Sequence, residues 1–274
     1  MTHIEFWILQ SFKAGLKNPV GKSNGQSNGF YMKNFYLAIL FQMLLAASIF
    51  AQQPEADLAR FTVLVPKDGM QKQFEEGYKR HLQWHIDNGE TWNWYGWFIA
   101  SGTRRGYFID VTFGHQWADF DKPVNPKGDA EDNLLNVLPY AKVDTTFVCS
   151  RLTKASLETA SSLSASLPKI YYLKIKPGRE AAFEKFLVGF REGIPKIAPE
   201  QNFSWFRVED GGQTPQYVLF LPHANFAEMR RTQNLFARLF GQNAVSQADF
   251  QESVAEMTSE TMRYRADLTF IPAK

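Results

Sequence analysis

Cysteine is almost missing from this 274-residue chain: Cys149 stands alone, so no internal disulfide can form and burial must hold the fold together. Nucleophile-elbow (Gly-x-Ser-x-Gly), Walker-type and dinucleotide-binding glycine motifs are missing too, which removes the commonest serine-hydrolase, P-loop and Rossmann readings. No cluster of Lys and Arg marks a nucleic-acid or anionic-membrane footprint. Histidine is scarce, with five in all, and long apolar runs are scarcer, with one.

That run, residues 35–51, follows Met32-Lys33-Asn34 and precedes Gln52-Gln53-Pro54. A short basic start, an apolar stretch and a small exit residue are the grammar of a signal peptide, with cleavage most simply after Ala51. Ile49 departs from the small-residue rule, so Ala47 and Ser48 stay open as exits. The rule also wants the basic start at the N-terminus, and residues 1–31 precede it, rich in Gly, Ser and Asn at 21–29. Met32 is therefore read as the start, 1–31 as an upstream extension and 32–51 as the signal peptide. The expected product is exported, periplasmic or secreted. The alternative is a membrane tether through an uncleaved anchor, because about 17 apolar residues lie at the low end of a spanning helix. Residues 1–51 carry four Lys and one Glu, so their removal changes 30 basic and 28 acidic residues to 26 and 27. The apparent basicity disappears with them.

Beyond the run, two stretches resemble each other about 109 residues apart. Val65-Pro-Lys-Asp-Gly opens a helix carrying Phe74, and Ile175-Lys-Pro-Gly opens one carrying Phe183. Residues 60–65, 92–100, 107–113 and 145–149 read as strands. Helices are expected over 69–88, where Met70, Phe74, Tyr78, His81 and His85 share a face, and after Pro126, with Leu134, Leu135 and Leu138. The second stretch repeats this order: strands at 169–175, 203–208, 217–221 and 268–271, and helices at 179–197, 226–240 and 247–262. Ser246 with Asp249 is a capping signal for the last of these helices. The division is then a first unit at 52–152, a Ser/Ala-rich linker at 153–167 and a second unit at 168–274.

Each unit reads β-α-β-β-α-β, a ferredoxin-like arrangement. The expected class is α+β. In the second strand Trp92, Trp94 and Phe98 alternate with Asn93, Tyr95 and Trp97, so both faces carry large aromatics and both need cover. Two tandem ferredoxin-like units packed sheet to sheet as a pseudo-dimeric α/β barrel would provide it. On the element order, the strand-to-helix openings, and the Tyr107 and Tyr217 strands ending near His115 and His223, the chain resembles the dimeric α/β-barrel superfamily. The antibiotic-biosynthesis-monooxygenase-like and NIPSNAP-like proteins are its nearest counterparts, here in tandem form. The resemblance implies cofactor-free oxygenases, haem-handling proteins, isomerases or proteins without activity, and selects none of them.

The repeat supplies an internal comparison. At an offset of 109, Phe74, Tyr78, His81 and His85 meet Phe183, Leu187, Phe190 and Ile194. Two positions of core type are histidine in the first unit alone. His81 and His85 are accordingly the candidate catalytic residues, and Tyr78, Trp92, Trp94, Tyr95 and Trp97 the candidate ligand contacts. Histidines four apart on a helix can share a metal, but the Glu of the zincin motif is lacking and spacing places no third ligand among Asp87, Glu90 and His115. No metal is assigned, and no cofactor is named. His115 and His223 occupy matching places and read as structural.

The leading expectation is a small apolar or aromatic ligand held in the first unit, between the histidine helix and the aromatic strand. An oxygenase, cofactor-independent or haem-associated, with a histidine as base is the alternative, and a structural or interaction protein is the third. A small molecule is the expected partner and an oligomer is open, whereas nucleic acid and, after cleavage, the membrane are not expected.

Overall fold

The computed structural model describes residues 57–159 and 162–272, so the apolar run and the expected processing site lie outside the described residues. The order of elements is β1 (Leu58–Pro66), α1 (Gln71–Asp87), β2 (Tyr95–Ser101), β3 (Phe108–His115), α2 (Pro126–Asn136) and β4 (Ala141–Arg151). It continues with β5 (Lys169–Ile175), α3 (Glu180–Ile197), β6 (Ser204–Asp210), β7 (Gln216–Leu221), three short helices α4 (Phe226–Met229), α5 (Leu235–Gly241) and α6 (Gln247–Ser253), and β8 (Val254–Tyr264). Among the described residues no helix is long and apolar enough to cross a membrane.

The class is α+β and the expected barrel forms, its strands joined in one sheet and not in two sheets that merely face each other. All eight strands are antiparallel and make one closed sheet in the order β1-β3-β2-β8-β5-β7-β6-β4. The joints that close it are β2 with β8, where Trp97 faces Tyr264, and β4 with β6, where Cys149 faces Val208. Closure removes free edges and covers the inner face of every strand at once.

Alternation along the strands divides the core. Phe61, Val63, Trp97, Ile99, Ile109, Val111, Phe147, Cys149, Phe206 and Phe220 fill the barrel. The space left inside is about 10 Å³, so the interior is solid packing and not a ligand chamber. The outward residues meet the helices. Leu64, Trp94, Phe98 and Phe108 receive Phe74, Tyr78 and Leu82 of α1. On the other side Leu173, Trp205, Tyr217 and Leu219 receive Phe183, Phe186, Leu187, Phe190 and Ile194 of α3.

One expected helix is largely a strand. Ser246 does cap α6, its hydroxyl accepting from the Asp249 amide at 3.1 Å, but the helix stops at Ser253 and β8 runs from Val254 to Tyr264. Ala255, Glu256, Met257 and Glu260 favour helix, yet β2 and β5 each present an edge that this segment satisfies. Pairing on both sides outweighs a propensity of a few tenths of a kcal/mol per residue. The segment expected as the final strand contributes only an isolated bridge from Phe270 to Trp94, after a 3₁₀ turn at Ala266–Leu268.

Trp97 was expected to touch a ligand; it lies inside the barrel at 1 % exposure, beside Tyr95, Phe220 and Tyr264. Trp97→Ala should therefore cost about 3–5 kcal/mol of unfolding free energy, read from urea denaturation. A loss below about 1 kcal/mol would contradict a solid barrel core.

Candidate metal centre

The outer face of β1, β2 and β3 under α1 is apolar at one end and polar at the other. Near the start of α1 it holds Leu64, Phe98 and Phe108. Towards the end of α1 it holds Arg60, Asp110, Thr112 and, at the end of β3, His115. Asp110 and Thr112 are buried, as are His81 and His85 above them, at 5 % and 2 % exposure. The other half shows what the same architecture uses without a site, since Phe190, Ile194, Leu219 and Leu221 are all buried there.

Helix α2 closes this polar end in an unusual orientation. Its leucines, Leu134 and Leu135, face solvent at 61 % and 73 % exposure, and no residue of the helix is fully buried. It turns inward the stripe Asp129, Asp132, Asn133 and Asn136, which share one face at helical spacing. Asn125, in a left-handed conformation at φ 37°, caps the helix by accepting from the Gly128 amide at 3.2 Å. Gly77 of α1 permits the close approach: a Cβ there would meet the Asn136 carbonyl oxygen at 1.8 Å. Arg80 then donates to Asn136 Oδ1 at 2.7 Å, and Asn136 donates to Asp132 Oδ1 at 2.9 Å.

Each histidine has a carboxylate beside its Nδ1. His81 Nδ1 is hydrogen-bonded to Asp132 Oδ2 at 2.7 Å, whereas His85 Nδ1 lies 3.1 Å from Glu90 Oε2, within ion-pair distance but outside hydrogen-bond geometry. Glu90 is itself fixed, its other oxygen accepting the Thr91 and Trp92 amides at 2.8 and 2.9 Å. Burial works to raise the Glu90 pKa, but His85 and these two amides prevail and hold it below the usual range. The His81 pKa is lowered, chiefly by burial and also by His85, against the pull of Asp132 and Asp129. A histidine that releases its proton easily is the form that ligates metals.

The second nitrogens converge. His81 Nε2 is 3.4 Å and His85 Nε2 3.5 Å from Asp129 Oδ1. Neither pair makes a hydrogen bond, and His85 Nε2 and Asp129 Oδ1 are buried without any hydrogen-bond partner among the described residues. Ligand atoms from the three residues all lie within 4.8 Å of one another. Two ligands held at roughly 2.1 Å in tetrahedral array stand about 3.4 Å apart, which matches the separation of each histidine Nε2 from Asp129. Carboxylates on the far nitrogens are the usual means of fixing metal-ligating imidazoles. The residues present thus fit a single cation with two nitrogen ligands and one oxygen ligand.

Of the sequence candidates, His81, His85, Tyr78, Trp92 and Trp94 share this side of the sheet. Tyr78 donates to Asp110 Oδ2 at 3.2 Å, and Trp94 packs on His85 with ring centres 4.7 Å apart. Tyr95 and Trp97 belong to the opposite face and the barrel interior. The residues that sequence reasoning missed are Asp129, Asp132 and Asp110. The signal was present in α2, in its acidic and amide positions at i, i+3, i+4 and i+7, but the neighbouring leucines suggested the wrong inner face. His115 and His223 differ despite their matching places: His223 Nε2 is paired with Thr232 Oγ1 at 2.9 Å, whereas His115 Nε2 has no partner among the described residues.

A larger open pocket, about 570 Å³, lies elsewhere, lined by Arg104, Tyr172, Lys174, Glu256 and Glu260. Its buried charges are already matched, Arg104 forming a two-point bond to Glu260 at 3.1 and 2.6 Å. None of the orphaned buried atoms lines it.

No protein-family profile matches the sequence, and no curated protein matches it. Solved structures do match in fold. A candidate monooxygenase from Lactobacillus acidophilus superposes with a TM-score of 0.54 at 11 % identity, covering 79 % of this chain and 97 % of that one. An anthrone oxidase-like protein gives 0.50 at 11 % identity over 79 % and 93 %, and a mutant chlorite dismutase from Candidatus Nitrospira defluvii 0.53 at 6 % over 77 % and 92 %. These neighbours are of the dimeric α/β-barrel type, and the chain shares their fold. At such identities the likeness is one of fold alone.

Burial raises the Asp110 pKa to about 6, although Arg60 and the Tyr78 and Thr62 hydroxyls oppose it. Its unfolded value is near 3.9, so between about pH 4 and 6 the folded state holds the extra proton and stability falls as pH rises. Asp110→Asn should remove that fall, making the variant more stable than wild type above about pH 6 by up to roughly 3 kcal/mol, and no more stable below about pH 4. Thermal melts of both proteins across pH 4–8 measure the difference; parallel curves would show that Asp110 titrates normally.

Proposed function

We propose that this protein binds one divalent first-row transition-metal ion through His81, His85 and Asp129 and holds a small molecule beside it, in the first half of the barrel. The observation that carries this reading is the pair of imidazoles with Asp132 bonded to one Nδ1, Glu90 3.1 Å from the other, and both Nε2 atoms facing one orphaned carboxylate oxygen. When bound, such an ion supplies Lewis acidity and an open position for ligand or water. The chain's own part is to present one Nε2 from each imidazole, place a carboxylate beside each Nδ1, and exclude bulk water with α2.

An oxygenase is the second reading. Two histidines and one carboxylate with open positions are the donor set of non-haem iron oxygenases, and monooxygenases occur among the fold neighbours. We also infer that the closed sheet arose by fusion of two ferredoxin-like halves, since β4-β1-β3-β2 and β8-β5-β7-β6 repeat one strand order. NIPSNAP-like kinship and export through residues 32–51 belong to the same proposal.

Protein stripped with a chelator and titrated with Zn²⁺ by calorimetry should bind one equivalent. The His85→Ala and Asp129→Ala variants should each lose at least about tenfold in affinity, with their far-UV spectra unchanged. Wild-type protein that takes up neither Zn²⁺ nor, under anaerobic conditions, Fe²⁺ would overturn the metal reading.

A further inference from the structure

We propose that Arg60 and His115 form an anion subsite next to the metal triad, and that the bound small molecule is a carboxylate with a planar apolar body. This deepens the preceding proposal and rests on it for the location of the ligand, but its own observations are separate.

Arg60 leaves β1 on the outer face, and its guanidinium is held by aromatic rings on several sides. The carbon centre lies 5.2 Å from the Trp92 ring, 5.6 Å from Trp94 and 5.9 Å from Phe120. It is half-buried, yet among the described residues it makes no hydrogen bond and no ion pair. Other well-placed arginines of this protein have carboxylate partners: Arg104 has Glu260, Arg207 has Glu209, and Arg265 has Glu75 and Asp267. An arginine stacked in place with its five donors unspent is a fork prepared for an external oxyanion.

The groups around it point the same way. His115 is 4 % exposed, its ring centre is 4.4 Å from Trp92 and 5.4 Å from Phe120, and its Nε2 lacks a partner. Thr112, the cross-strand neighbour of Arg60, is 1 % exposed with an unpartnered hydroxyl, and the Trp94 indole N–H is unpartnered as well. Glu90 is engaged by His85 and two backbone amides, and Asp110, which feels the Arg60 charge without bonding to it, accepts from Tyr78. Buried polar atoms normally find partners, so several orphans beside one unpaired guanidinium mark a place where a ligand completes the bonding. Burial and the charge of Arg60 lower the His115 pKa, which keeps that ring neutral and able to donate from Nε2 without adding charge.

Trp94 joins the two subsites. Its ring packs on His85 at 4.7 Å and beneath Arg60 at 5.6 Å. A ligand carboxylate on Arg60 would have its apolar body among Trp92, Trp94 and Phe120 and its far end directed to the triad. Aromatic walls accept a flat ring, and a guanidinium fork accepts a carboxylate in two-point fashion.

Benzoate tests this, with benzamide as the neutral isostere and inorganic phosphate as the competing anion. Benzoate should quench tryptophan fluorescence of the wild-type protein saturably, benzamide should bind at least about tenfold more weakly, and Arg60→Gln should weaken benzoate by at least about tenfold. Arg60→Lys should retain part of the affinity, which separates loss of the anion contact from misfolding. No benzoate binding to wild type, equal affinity in Arg60→Gln, or equal affinity for benzamide would each overturn the proposal. Phosphate binding tighter than benzoate would overturn the carboxylate assignment. Zinc titration of wild-type protein without benzoate reads the triad independently. Zinc uptake with no benzoate binding removes only the anion subsite, and Arg60-dependent benzoate binding with no zinc uptake removes only the metal reading.

Discussion

A strand that carries large side chains on both faces is stable only if both faces are covered, and β2 sets that demand with Tyr95 and Trp97 on one side and Trp94 and Phe98 on the other. Closing eight strands into one sheet satisfies the inner face everywhere at once. The outer face is left to the helices, and there the two halves diverge. Helix α3 covers its strands with phenylalanine, leucine and isoleucine. Helix α1 does the same for its first two turns and then changes to His81 and His85. Because the barrel interior is filled, this outer interface is the place where the fold could depart from close apolar packing without losing its core.

Much of the frame was legible in the sequence, since period-2 and period-3.6 patterns report which face is buried. The opening strands, α1, α3 and the aromatic alternation of β2 all follow from that. β8 did not, because its partners are the edges of β2 and β5, and edge pairing is a property of the closed sheet rather than of residues 254–264. The helix-forming residues there answered to local propensity; the closed sheet decided otherwise.

The site was half legible for a related reason. His81 and His85 stand out because the matching positions in the other half are apolar, a comparison internal to the chain. Asp129 and Asp132 have no such contrast, and their helix carries two adjacent leucines that suggest an apolar inner face. Their inward orientation depends on α1, where Gly77 admits the α2 backbone and Arg80 reaches Asn136. Only contact between the helices shows which stripe faces in. Asp110 was hidden differently, as the one acidic residue of a largely apolar strand, whose meaning emerges beside Tyr78 and Arg60.

The charge balance of this interface explains why α2 stays where it is. Within Pro126–Asn136 the helix buries no apolar residue, and apart from its C-cap Val137, which enters the core under α1, its attachment to α1 comes from polar contacts. Those contacts bring Asp129, Asp132 and Glu90 against two imidazoles, one of which, His81, is biased by burial towards its neutral form. Three carboxylates sharing a partly dry space repel one another, and desolvation adds to the cost. A divalent cation between the Nε2 atoms and Asp129 would offset much of that charge and occupy orphaned atoms in the same step. On the proposed metal reading, metal affinity and the docking of α2 would then be coupled, because the helix would supply a ligand and the ion would remove repulsion that opposes docking. In the other half α3 is held chiefly by apolar burial, with Glu184 accepting from Tyr217 at 3.0 Å, and no comparable dependence arises.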